Sequence, residues 1–222
     1  MTQLLLIRHA VNDWVGTNRL AGWTPGVHLN DEGRRQAEAL AQRLADAELK
    51  AIYSSPLERT LETAEIIAQP HGLPVYIREG IGEARYGEWT GQKLEDLAKT
   101  ELWPVIQFYP SGARFPGGEA LREMQARAVA EIDAIRADHP EGMVAVVSHA
   151  DVIKAIIAYY VGMHLDLFQR LAISPASLSV LVFSKMGPRL VRLNDTSHIP
   201  GADGHKQKKP ARSNQLSPED YL

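Results

Sequence analysis

Two short runs in this chain contain only apolar residues: Leu4-Leu5-Leu6-Ile7 near the amino terminus and Met143-Val144-Ala145-Val146-Val147 much later. Each is too short for a buried helix and lacks polar alternation, so each reads as a strand covered on both faces. Strands of that kind belong to a mostly parallel sheet with helices packed on either side. Apolar periodicity predicts helices over about 31–47, 55–68, 119–137 and 152–161, with a shorter one near 93–100. Further strand patterns fall at 51–53, 75–77, 178–183 and 190–193, the last two read as a closing pair. The expected fold class is α/β, a three-layer α/β/α sandwich with a mostly parallel sheet and a small cap insertion. The cap covers about 80–118, where Pro104, Pro110 and Pro116-Gly117-Gly118 break the chain.

Local signals sharpen two helix starts. Asn30 caps the first helix, and Asp31 and Glu32 suit its positive end. Ser55, Pro56 and Glu58 read as a capping box with a proline start. One catalytic domain over 1–200 is expected, with 201–222 a tail outside the core because it is poor in apolar residues.

Composition removes whole classes of chemistry. A net charge of -3 over 222 residues argues against a nucleic-acid binder, which needs a basic face. Cysteine is absent, which rules out disulfide scaffolds, thiolate zinc sites and every cysteine nucleophile. No apolar run approaches the roughly 18 residues of a membrane span, and the start, MTQLLLIRHA, lacks a signal-peptide core. The expected setting is cytoplasmic, with no membrane or nucleic-acid partner.

Open α/β sheets bind ligands beyond the carboxyl ends of their strands. Arg8-His9 follows the first apolar run, Ser148-His149 follows the second, and Arg59 falls in the first turn of the helix after the 51–53 strand. Taken singly, each histidine reads as a structural hydrogen-bonding group and Arg59 as an ion-pair partner. Placed together at three strand ends, they form a compact cationic pocket whose natural guest is phosphate.

These residues carry a resemblance. Leu6-Ile7-Arg8-His9-Ala10 resembles the Arg-His-Gly signature of the histidine phosphatase superfamily, which includes the phosphoglycerate mutases. Asn18-Arg19-Leu20, Gly22-Trp23 and Leu29 through Gly33 look like the segment after it, and Ser54-Ser55-Pro56-Leu57-Glu58-Arg59-Thr60 with Thr63-Ala64 like the second motif. Gly82-Glu83 with Gly87-Glu88-Trp89-Thr90-Gly91 resembles the acid-bearing loop. Phe115-Pro116-Gly117-Gly118-Glu119 and Val146-Val147-Ser148-His149 complete the series, over about residues 3–198.

The resemblance implies a phosphohistidine mechanism with no cofactor and no metal. His9 is the expected nucleophile; Arg8, Arg59 and His149 hold the phosphoryl oxygens; Glu83 is the general acid, ahead of Glu88 and Glu119. Asn12, Gly22 and Tyr86 are the further expected contacts of the phosphate ester. Trp14, Trp23, Tyr86 and Trp89 either line an aromatic pocket or pack the loops.

There are departures from the family pattern. Ala10 replaces a glycine, and Val15 stands where an asparagine ligand is common. Asn12 replaces a serine or threonine, its amide still able to donate to phosphate. Asp151 follows His149 where small residues are usual, and would repel an anionic substrate or pair with a basic group on it. Mutases of the family carry an arginine directly after the acid and a basic pair in a long insertion, whereas here Ala84 follows Glu83 and the insertion is short. The expected activity is thus hydrolysis of a small phosphorylated metabolite, with a phosphoglycerate-type mutase and an inactive phospho-ligand-binding relative as alternatives. A homodimer is the expected assembly.

Overall fold

A computed structural model describes residues 1–200; the expected tail at 201–222 lies outside the described residues. Strand β1 (Thr2–Arg8) sits near the middle of a six-stranded sheet. It pairs in parallel with β4 (Gly142–Ser148), beyond which β2 (Leu49–Ser54) and β3 (Val75–Ile77) continue the parallel set. On its other side β1 pairs antiparallel with β5 (Leu178–Ser184), and β5 with β6 (Gly187–Asp195). The order β3-β2-β4-β1-β5-β6 makes the sheet mixed, with β5 the one strand that runs against the rest.

The apolar run of β1 shows why the sheet needs two covers. Alternate side chains point to opposite faces. Leu5 and Ile7 join a core with Leu40 and Leu44 of α1 (Asp31–Leu44) and Ile67 of α2 (Glu58–Ala68). Leu4 and Leu6 join a second core with Ile132 of α5 (Leu121–Asp138) and Ile156 of α6 (Ala150–Tyr160). All four β1 residues are at most 3% exposed, so neither face could have been polar.

Two local expectations fail for physical reasons. Asn30 does cap α1, accepting from Gly33 N at 2.9 Å. The capping box at Ser55 does not form, however, and α2 starts three residues later at Glu58. The Ser55 hydroxyl lies 2.8 Å from His149 Nε2 and only 3.4 Å from Leu57 N, while the Glu58 carboxylate accepts from Gly26 N at 2.9 Å. Tertiary partners therefore take both side chains the cap would have used. Pro104, read as a break, instead lies in the first turn of a helix, α4 (Leu102–Phe108), where its missing N–H costs nothing. A shorter helix, α3 (Leu94–Leu97), precedes it.

The segment between β3 and α5 adds to the α5–α6 core. Ile81, Ala84, Trp89, Leu97, Ile106 and Phe115 all pack into it. Gly87, at φ +54°, lies against the Pro116-Gly117-Gly118 turn so closely that a Cβ would stand 2.1 Å from Pro116 O. Only glycine fits there, and this contact closes the base of the loop bearing Glu83.

Candidate active site

Because β2, β4 and β1 are neighbours, their carboxyl ends deliver Ser55, His149 and Arg8-His9 side by side, with Arg59 entering from the first turn of α2. His9 is buried, and its Nδ1 lies 2.8 Å from Ala10 O. A carbonyl only accepts, so Nδ1 carries the ring proton and Nε2 is unprotonated. Burial, and then the charges of Arg59 and Arg8, hold the His9 pKa well below its ordinary value, which keeps the ring neutral. The next residue is anchored too: Ala10 N donates to Thr63 Oγ1 at 3.1 Å.

His149 is fully buried, its ring centroid 5.4 Å from that of His9, and the same causes lower its pKa. Its Nε2 meets Ser55 Oγ, while its Nδ1 lies 3.4 Å from Arg59 Nη2 and 3.5 Å from Glu83 Oε2.

Hydrogen-bond donors outnumber acceptors in this cluster. Arg8 Nη1 donates to Ile173 O at 2.7 Å and Arg59 Nη2 to Gly22 O at 2.8 Å. Asn12 Oδ1 accepts from Trp14 N and Val15 N, fixing the amide. Arg8 Nε, Arg59 Nη1 and Asn12 Nδ2 remain buried without a protein partner. Buried donors are normally satisfied, and these three belong to residues that share one cleft, a donor set whose chemistry suits an anion.

Glu83 faces this donor set. Its Oε2 lies 3.9 Å from Arg59 Nη2, and its Oε1 accepts from Ala84 N at 2.9 Å and lies 3.4 Å from the Tyr86 hydroxyl. Burial raises the Glu83 pKa; Arg59 opposes the rise and Asp151 adds to it. Burial likewise pushes the Tyr86 hydroxyl well up, with Glu83 adding to the shift.

The loop is clamped from behind. Arg127 Nη1 donates to Gly80 O at 2.8 Å and Gly82 O at 2.9 Å, and Nη2 to Glu83 O at 2.9 Å. The same guanidinium makes a bidentate pair with Glu119, whose Oε1 also accepts from Arg85 N at 2.8 Å. Trp23 Nε1 donates to Glu83 O at 2.7 Å, and Ser148 Oγ to Ile81 O at 2.7 Å.

A cleft of about 240 Å³ has Arg8, His9, Asn12, Arg59, Glu83 and Tyr86 in its wall, with Gly22 and Asp151, and His149 buried behind. The side chains singled out in the sequence as site candidates thus meet in one place. Of the aromatic set, Trp14 and Tyr86 line the cleft, Trp23 braces the Glu83 backbone, and Trp89 packs in the core against Trp103 and Phe115. Glu119 is held by Arg127, and Glu88 lies outside the cleft wall. Arg127 has no local signature in the sequence, and Ser55 and Thr63 stood out there only as members of the second motif, Ser55 also as a helix cap, with no role in the site. Among the described residues, no three His, Asp or Glu side chains are grouped to hold a metal ion.

Comparison with known proteins agrees with this fold. Residues 4–196 match the model of the histidine phosphatase superfamily, branch 1, and the chain belongs to that family. It is 32% identical over 201 residues to phosphoserine phosphatase 1 of Hydrogenobacter thermophilus, covering 90% of this chain and 95% of that one. It is also 29% identical over 181 residues to a probable phosphoglycerate mutase, GpmB, of Erwinia tasmaniensis, covering 81% and 84%. Among solved structures it is similar to YhfR of Bacillus stearothermophilus, at TM-score 0.84 and 28% identity, covering 90% of this chain and all of that one.

Proposed function

We propose that this protein is a metal-independent phosphomonoester hydrolase that works through a phosphohistidine on His9. The observation that carries the reading is the neutral, buried His9 with Nε2 free, set among three unpartnered donors and beside a carboxyl whose pKa is raised. Two arginines match the two charges of a phosphate ester, and the small cleft suits a small metabolite.

His9 Nε2 attacks phosphorus and the ester P–O bond breaks. Protonated Glu83 gives its proton to the leaving oxygen. The Glu83 carboxylate then takes a proton from water as the water oxygen attacks phosphorus. The P–N bond breaks, phosphate leaves, and neutral His9 with protonated Glu83 is restored. Arg8, Arg59, Asn12 and His149 hold the phosphoryl oxygens as charge moves onto them. The Ser55 hydroxyl both donates and accepts, so His149 can carry its proton on Nδ1 and donate to an entering oxygen.

Hydrolysis is favoured over phosphoglycerate mutation by where the basic residues lie. The residue after Glu83 is the buried Ala84. Arg85 stacks 4.5 Å over Trp23 and pairs with Glu79, and Arg114 is bonded to Glu123. Neither lines the cleft; besides Arg8 and Arg59 the basic residue there is Arg19, exposed and donating to Gly91 O, so the paired grip on a carboxylate that a mutase needs is not built.

The test is phosphate release from an aryl phosphate, sugar phosphates, phosphoserine and 3-phosphoglycerate, the last with and without its bisphosphate primer. Release by wild type but not by His9→Ala, undiminished by a chelator, is the expected result. Isomerisation of primed 3-phosphoglycerate without release would establish the mutase instead, and binding without turnover an inactive relative.

A further inference from the structure

Asp151, the second residue of α6, places a carboxylate in the wall of a cleft otherwise built for an anion. Phosphate chemistry gives it no task. Arg8 and Arg59 already balance a bound phosphate dianion, and a further negative charge weakens rather than strengthens that binding.

The side chain is nonetheless held firmly. Asp151 Oδ1 accepts from Lys154 Nζ at 3.1 Å, and Lys154 is itself fixed by Gln169 Oε1 at 3.0 Å and by lying 5.8 Å from the Phe168 ring centroid. The Lys154 side chain is only 14% exposed and is not part of the cleft wall. Asp151 Oδ2 takes no hydrogen bond among the described residues. One oxygen of this wall residue is thus anchored by a lysine outside the cleft wall, and the carboxylate keeps an acceptor to spare. The other charged group at the rim, Arg19, donates to Gly91 O and is largely exposed.

Resting on the hydrolase reading above, we propose that Asp151 is a specificity residue that selects phosphomonoesters carrying a protonated amine a few bonds from the phosphate. The amine pairs with Oδ2 while the phosphate sits on Arg8, Arg59 and Asn12. A cleft of about 240 Å³ has room for a phosphate and a short amine-bearing chain. A carboxylate in the same place would face Asp151 and be disfavoured.

Three esters of nearly equal size separate the possibilities: phosphoethanolamine, ethyl phosphate and phosphoglycolate. Wild-type kcat/KM is expected to be about tenfold higher for phosphoethanolamine than for ethyl phosphate, the scale of one charge-assisted hydrogen bond, and lowest for phosphoglycolate. In Asp151→Asn the amine-to-neutral ratio should fall to near one and the carboxylate-to-neutral ratio should rise. Equal wild-type rates on all three esters, a preference for phosphoglycolate (which would point to Arg19), or ratios unchanged in Asp151→Asn would overturn the proposal. Calorimetric binding of the same esters to His9→Ala reads the preference without turnover. Absence of hydrolysis by wild type therefore counts against the hydrolase reading alone, and the binding ratios still decide the role of Asp151.

Discussion

Burial pushes His9 and Glu83 in opposite directions, because it disfavours the charged form of each. The imidazole is held below its ordinary 6.5 and the carboxyl above its ordinary 4.5. The reactive form has His9 neutral and Glu83 protonated. Activity should therefore rise as pH climbs past the lowered His9 pKa, below 6.5, and fall as pH passes the raised Glu83 pKa. A pH profile of kcat/KM checks both limbs. Glu83→Gln should abolish the alkaline limb and lower the rate by about 10²–10⁴-fold. Asn12→Ala should raise KM for any phosphate ester several-fold by removing one fixed donor, and its KM is read against the same panel. The residues at strand ends were legible in the sequence because an apolar run announces its own end, and Arg8-His9 and Ser148-His149 follow such runs directly. The Ser55 hydroxyl was not legible in this way. A serine before Pro56 can cap a helix or reach a distant ring, and only the packing of β2 against β4 decides between them.

At the scale of elements, the acid loop is shaped by α5 more than by its own residues. Arg127 offers a fork of donors to three loop carbonyls and to Glu119, and the loop carbonyls have few other partners. Arg127→Ala should lower kcat by about 10–10²-fold through misplacement of Glu83, with a much smaller change in KM. Arg127→Lys should not rescue it, because an ammonium cannot reach the same acceptors bidentately. Steady-state kinetics of both variants, with a pH profile, separates this from simple loss of fold, since only a displaced acid shifts the alkaline limb. The Pro116-Gly117-Gly118 turn was visible in the sequence as a breaker, yet its role as a seat for Gly87 was not. Nor was α4, because a proline in a first helical turn looks the same in sequence as a proline that ends one.

For the whole molecule, the sandwich depends on both covers of the sheet. Leu6→Ala, on the α5–α6 side, should cost about 2–5 kcal/mol by denaturant unfolding. Strand β6 is tied back to α1 by a bidentate pair: Arg43 Nη1 to Asp195 Oδ1 at 3.0 Å and Nη2 to Oδ2 at 2.7 Å. Arg43 holds the Asp195 carboxyl far below its ordinary 3.8. A lowered carboxyl pKa stabilises the fold fully above the unfolded value, and this is lost as pH falls below 3.8 toward the folded value. Arg43→Ala should therefore reduce stability by about 1–3 kcal/mol near neutral pH, with the difference from wild type shrinking as the medium is made strongly acid. The hydrolysis proposed for this site turns on a covalent step at His9. Rapid acid-free quenching of the enzyme with a substrate labelled in its phosphoryl group, followed by peptide mapping, tests it directly. Near-stoichiometric label is expected on the peptide containing His9, stable to base, labile to acid and absent from His9→Ala. Steady turnover with no label on that peptide, or label on another residue, would contradict it.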